Sequence, residues 1–166
     1  MKEEQLKVLK TMSEATSRMD INMFAKKVNL NPNQTIQIFQ ELAKEGFLQK
    51  VGNGFGIAEK GKVALKVFMP TPEESGFHFY CGIDQPADLT ARTLEEFYRI
   101  IKQVSVDSLE FHLYRSDFEN WLKEARKELE LSEEIGRIKV DGLTGEELRA
   151  RLLKVLDAKY SIQDLL

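Results

Sequence analysis

The sequence predicts a mainly α-helical protein in two parts: three helices, a β-hairpin and a fourth helix, then a mostly helical second domain with one short strand region. Three observations carry this expectation. Apolar residues recur at helical spacing through most of the chain. Between residues 47 and 58 that spacing gives way to two short runs flanking Gly52-Asn53-Gly54, and Asn-Gly is the strongest short-range hairpin signal. Pro70-Thr71-Pro72-Glu73-Glu74-Ser75-Gly76 then breaks all periodicity. The expected organisation is a domain over 1–69, a linker over 70–76 and a second domain over 77–166.

In the first part, residues 2–15 read as a helix with Leu6, Leu9 and Met12 inward. Asp20 caps a second helix, in which Ile21, Phe24 and Val28 share a face. Asn31 caps a third, over 32–45, with Pro32 at a first position where no N–H is needed. Ile36, Phe39, Leu42 and Ala43 are expected inward, which turns Asn33, Gln34, Gln37 and Glu41 outward. Gly46 stops this helix by entering the left-handed conformation. Strands over 47–51 and 55–58 form the hairpin, and a helix over 59–69 follows.

In the second part, Phe77-His78-Phe79-Tyr80 suits a short strand, with Phe77 and Phe79 on one side and His78 and Tyr80 on the other. Residues 82–86 read as a loop. Thr93 with Glu96 is a capping box, opening a helix with Leu94, Phe97 and Ile101 inward. Asp107 with Glu110 and Ser116 with Glu119 read as two more, so a helix break is expected at Arg115–Ser116. Ser132 is expected to cap a short helix, and Thr144 the last one, where Leu148, Leu152, Val155 and Leu156 repeat.

At 166 residues, 42% apolar and 31% charged, the composition is that of a folded chain. The amino-terminal residues lack the apolar core of a signal peptide, and no apolar run reaches the ~20 residues a membrane span needs. A cytoplasmic protein is expected, without a membrane partner. A single cysteine, Cys81, excludes an internal disulfide, and with two histidines there is little for a metal centre. No metal and no cofactor are assigned. The net charge of −3 is uneven: residues 1–68 carry 11 Lys+Arg against 7 Asp+Glu, residues 69–166 carry 13 against 20. Nucleic-acid affinity comes largely from neutralising phosphates, so the first part is the half expected to meet DNA.

The run ELAKEGFLQKVGNGFGIAEKGK, with the helix before it, resembles a winged helix-turn-helix over roughly residues 2–69. The resemblance implies that helix 32–45 enters the major groove of duplex DNA. Asn33, Gln34 and Gln37 would then face base edges, where Asn and Gln amides pair with adenine. Thr35 would reach a phosphate. Lys50 and Asn53 equip the wing, while Lys60 and Lys62 would touch phosphates and position the protein without reading sequence. Residues 77–156 resemble an uncharacterised prokaryotic family, largely archaeal, with the pattern SLEFHxxRxDFExWL followed by GEELRxxL. Its members often have glycine where this chain has Ser116, and the resemblance implies a domain without a reaction.

One cluster has chemical potential. His112 and Arg115, three apart, share a helix face, and Asp117 follows. A His–Asp pair can act as a general base and an Arg can hold an anion. No nucleophile of known pattern accompanies them, so no catalytic residue is assigned and an enzyme is not expected. A helix junction explains the same three residues. The expected function is that of a DNA-binding transcription regulator, a homodimer with a seam near residues 145–163, whose second domain supplies a surface for a protein or a small effector. The alternative is a protein-interaction module, in which the winged helix and an acidic helical domain act as an adaptor.

Overall fold

The computed structural model describes all 166 residues, as ten α-helices, two short 3-10 turns and two separate antiparallel hairpins. The chain divides into two compact units, Met1–Met69 and Pro70–Leu166.

The first unit runs α1 (Glu3–Glu14), α2 (Ile21–Val28), α3 (Pro32–Lys44), β1 (Leu48–Val51), β2 (Gly54–Ile57) and α4 (Glu59–Phe68). Local chemistry sets the boundaries. Asp20 accepts from the N–H groups of Asn22 and Met23, at 2.8 and 3.0 Å, and starts α2. Asn31 and Gln34 form a reciprocal capping box at the start of α3. Gly46, at φ 84°, turns the chain out of α3, and the Phe47 N–H returns to the Leu42 carbonyl. Gly61 lets α4 lie against the backbone before β1, since a Cβ there would sit 2.3 Å from the Phe47 carbonyl oxygen. Val8, Leu9, Phe24, Val28, Ile38, Leu42, Ala64 and Val67 fill the core.

The buried face of α3 differs from the sequence expectation. Thr35, Ile38 and Leu42 are buried, and Ile36 is exposed. Both sets satisfy helical spacing, and Thr35 suits the interior because its hydroxyl donates to the Asn31 carbonyl at 2.9 Å. In α1 the buried residues are Gln5, Val8 and Leu9, with Leu6 and Met12 half-buried. Gln5 tolerates this position because it accepts from the Lys2 N–H and donates to Glu45.

The second unit contains β3 (Phe77–Gly82), β4 (Gln85–Ala91), α5 (Leu94–Gln103), α6 (Val106–Tyr114), α7 (Asp117–Glu124), α8 (Leu129–Ile138), α9 (Gly145–Tyr160) and α10 (Ile162–Leu165). The single strand region expected here is a full hairpin: the expected loop at 82–86 is its turn, and β4 returns along β3 from Phe77↔Ala91 to Gly82↔Gln85. Pro86 and the left-handed Asp88 hid β4 in the sequence, and two register irregularities accommodate them. Phe77 and Phe79 share one side of β3 as expected, and that side points inward to meet Phe97 and Phe118, with Trp121 also against Phe77.

Residues 70–76, expected as a linker, pack on this unit. Thr71 is buried, its N–H donates to the Arg92 carbonyl, and Arg92 donates twice to the Thr71 carbonyl. Trp121 Nε1 donates to the Ser75 carbonyl at 2.8 Å. Prolines remove periodicity from such a segment without freeing it.

Three expected caps are replaced. Ser105, not Asp107, starts α6, and Glu110 instead accepts from the Gly145 N–H. Ser132 lies inside α8 and donates to the Glu119 carbonyl. The break at Arg115–Ser116 is present, but Ser116 reaches it by a left-handed φ of 65° and makes no cap. Thr144 does precede α9, without a side-chain cap.

Candidate functional site

The exposed face of α3 is built of amides. Asn33, Gln34, Gln37 and Gln40 all face solvent, because Thr35, Ile38 and Leu42 face the core. Gln34 is partly committed to the capping box, and Gln37 donates to Glu41 at 3.3 Å. Thr35 is removed from the expected contact set: it is fully buried, with its hydroxyl bonded to the helix backbone. Lys50 and Asn53, on and beside the β1–β2 hairpin, are exposed and have no polar partner within the protein. Lys60 donates to the Glu45 carbonyl at 2.8 Å and lies over the Phe47 ring, and Lys62 pairs with Glu59, whose carboxyl it holds below its usual range.

Beside this face lies a groove of about 690 Å³, with Phe24, Ile36, Phe39 and Phe55 among its walls. Arg18 is its sole ionised lining residue and lies against Gly54. Nothing in the sequence pattern points to Arg18 or Gln40. Arg18 sits in a polar connection without periodicity, and Gln40 emerges as a surface amide only once the face of α3 is set by Thr35.

In the second unit the helix break brings His112, Arg115 and Asp117 together. His112 is buried. Its Nδ1 donates to Asp117 Oδ2 at 2.9 Å, and its Nε2 lies 2.8 Å from the Tyr80 backbone N–H. A backbone N–H can only donate, so Nε2 carries the lone pair and the ring is neutral with its proton on Nδ1. Burial holds the imidazole pKa below its ordinary value, against the opposing pull of Asp117. Both ring nitrogens are engaged, so neither is open to a substrate. Arg115 lies over Phe111, 4.5 Å from the ring centroid, with Nε 3.4 Å from Asp117 Oδ2. A cleft of about 530 Å³ opens beside these residues toward the β3–β4 turn.

A family model described as a family of unknown function (DUF5752) matches residues 66–157, more than half of the chain. The chain belongs to this family. The DUF5752 match takes in the whole of β3 through α8, and with it the His112 junction and its cleft. No curated protein and no solved structure matches the chain.

Elsewhere in the DUF5752 region several polar side chains tie the structure together. Arg149 donates to the Ile101 and Val104 carbonyls, both at 2.7 Å, closing the end of α5. Just past the match, Tyr160 donates to Glu128, and burial together with that carboxylate raises the phenol pKa well above its ordinary value. Lys139 holds the junction from outside, with Nζ 2.7 Å from Ser116 Oγ and 2.5 Å from Glu119. No helix of the chain is long and apolar enough to cross a membrane.

Proposed function

We propose that residues 1–69 are a winged helix-turn-helix that binds duplex DNA, with α3 in the major groove and the β1–β2 hairpin as its wing, in a cytoplasmic regulator without catalytic activity. The observation that carries this reading is the amide face of α3 beside a hairpin whose Lys50 and Asn53 are uncommitted. Amides are the side chains that read adenine edges, and an unpaired lysine on the adjoining hairpin suits a phosphate. Asn33, Gln37 and Gln40 are the reading residues in this proposal, and Lys50 the principal phosphate contact.

Dimerisation belongs to the same proposal, since one α3 reads few base pairs and symmetric half-sites double the contact. Of the α9 stripe Leu148, Leu152, Val155 and Leu156, all but the half-buried Val155 are buried within their own unit, so in this proposal a dimer meets through another face. The groove at Ile36 and Phe39 favours a second reading, an adaptor that docks an apolar segment of a protein.

Selection of bound sequences from random duplex DNA by the full chain, followed by titration of the winner from low to physiological salt, tests the first reading. Enrichment of a defined site, with affinity falling as salt rises, is the expected result. Failure to enrich any sequence, with binding indifferent to salt, overturns it in favour of the adaptor.

A further inference from the structure

The cleft beside the His112 junction is lined by Arg115, which leans on Asp117, and by Asp84, a second carboxylate that is not paired with it. Arg115 is pinned by its stacking on Phe111 and by the approach of its Nε to Asp117. The terminal amino groups of its guanidinium have no protein partner, and the side chain is 54% exposed. Asp84, in the β3–β4 turn, lines the same cleft, and its carboxylate has no partner either. The two are not paired with each other. Phe77 and Phe111, Tyr80 of β3 and Ile83 of the turn line the same cleft, together with His78. Tyr80, within β3, is 37% exposed, and Ile83, at the hairpin tip, 74%.

We propose that this cleft binds a free amino acid with an apolar side chain. A fixed guanidinium offers a fork that matches a carboxylate. The Asp84 carboxylate, lining the same cleft, suits an ammonium group. Aromatic and aliphatic walls take the side chain, in the usual pattern of a small-molecule site: mostly apolar, with a few placed polar groups. Neither an anion nor a cation alone satisfies both charges. Asp117 does not compete for the ammonium, because His112 and Arg115 already face it. This reading stands whether or not residues 1–69 bind DNA.

The test is titration of the full chain with L-phenylalanine and L-leucine by calorimetry, with the Arg115 Nε–H and Tyr80 amide resonances followed by NMR. Three controls lack one charge each: phenylalaninamide, N-acetylphenylalanine and phenylacetate. Saturable binding of at least one amino acid is expected, shifting both resonances. Each control should bind about tenfold more weakly or worse, the worth of one charged hydrogen bond. Arg115→Gln should abolish the preference for phenylalanine over its amide, and Asp84→Asn the preference over the N-acetyl form. Absence of saturable binding by both amino acids overturns the proposal. So does equal binding of phenylacetate, or binding indifferent to both substitutions. Asp84 lies on an exposed turn, and the controls on the unmodified protein need no variant, so a misfolded Arg115→Gln leaves the test intact.

Discussion

The Tyr80 backbone N–H donates to Nε2 of His112 at 2.8 Å, so one imidazole ties β3 to α6. Through Nδ1 and Asp117 the same ring also holds the first turn of α7. His112 therefore has a structural role at the meeting point of three elements.

Stability should depend on that ring being neutral. Its folded-state pKa lies below the ordinary 6.5, so at acid pH the unfolded chain binds the extra proton more readily. Stability from this group is fully present above about pH 6.5 and is lost as pH falls through the lower folded value. Urea unfolding at pH 8, 6.5 and 5 should show the decline, and His112→Gln should flatten it. His112→Ala should cost about 3 kcal/mol at pH 8, since the Tyr80 N–H and Asp117 both lose a partner in a part-buried setting. A pH dependence unchanged in His112→Gln would remove the assignment.

What the sequence made legible was local. Thr93 and Glu96 form the expected box, Asn31 and Asp20 the expected caps, and Gly46 the expected left-handed stop. These signals involve residues a few positions apart, whose geometry the backbone fixes. Two of the missed caps were settled by distant partners. Glu110 was drawn to Gly145, and the Ser116 hydroxyl to Lys139, so neither capped the helix next to it. The choice between Thr35 and Ile36 for the core depended on a hydroxyl finding the Asn31 carbonyl, which no periodicity reports. In the candidate site, His112, Arg115 and Asp117 were visible through spacing, whereas Asp84 and Tyr80 joined them only through the fold of the hairpin.

Gly61→Ala should destabilise the first unit. The added methyl would stand 2.3 Å from the Phe47 carbonyl oxygen and 2.8 Å from Ile57 Cγ2, and the first of these is backbone. Either α4 or β1 must shift, at roughly 2 kcal/mol, typical of overpacking. Denaturant unfolding of the variant checks this, and an unchanged midpoint would show that the close approach is relaxed in solution.

The proposed DNA contacts divide by type. Lys50→Ala should weaken binding to all sequences alike and lower the salt slope by about one. Gln37→Ala should cost about 1–3 kcal/mol on the selected site and little on random DNA. Lys62→Ala should matter less than Lys50→Ala, because Lys62 already pairs with Glu59 at 2.8 Å. Fluorescence anisotropy on both DNAs at several salt concentrations separates the three. Equal effects of Gln37→Ala on specific and random DNA would falsify the base-reading role.

Ser116 offers the sharpest separation between a cap and a strained turn. As a helix cap, its hydroxyl would satisfy a backbone N–H, and glycine would be slightly worse than serine there. The structure instead places Ser116 at φ 65° with its hydroxyl turned to Lys139 Nζ at 2.7 Å. A left-handed conformation costs a non-glycine residue about 1–2 kcal/mol, and glycine escapes that cost. Losing the hydroxyl removes a bond to a charged donor, yet Lys139 keeps Glu119 at 2.5 Å. The backbone gain exceeds the loss, so Ser116→Gly should raise stability by about 0.5 kcal/mol. Ser116→Ala keeps the strain and loses the bond, so it should lower stability by about 1 kcal/mol. Paired urea unfolding curves read both signs, and a Ser116→Gly variant less stable than the parent would show that the Lys139 contact outweighs the turn.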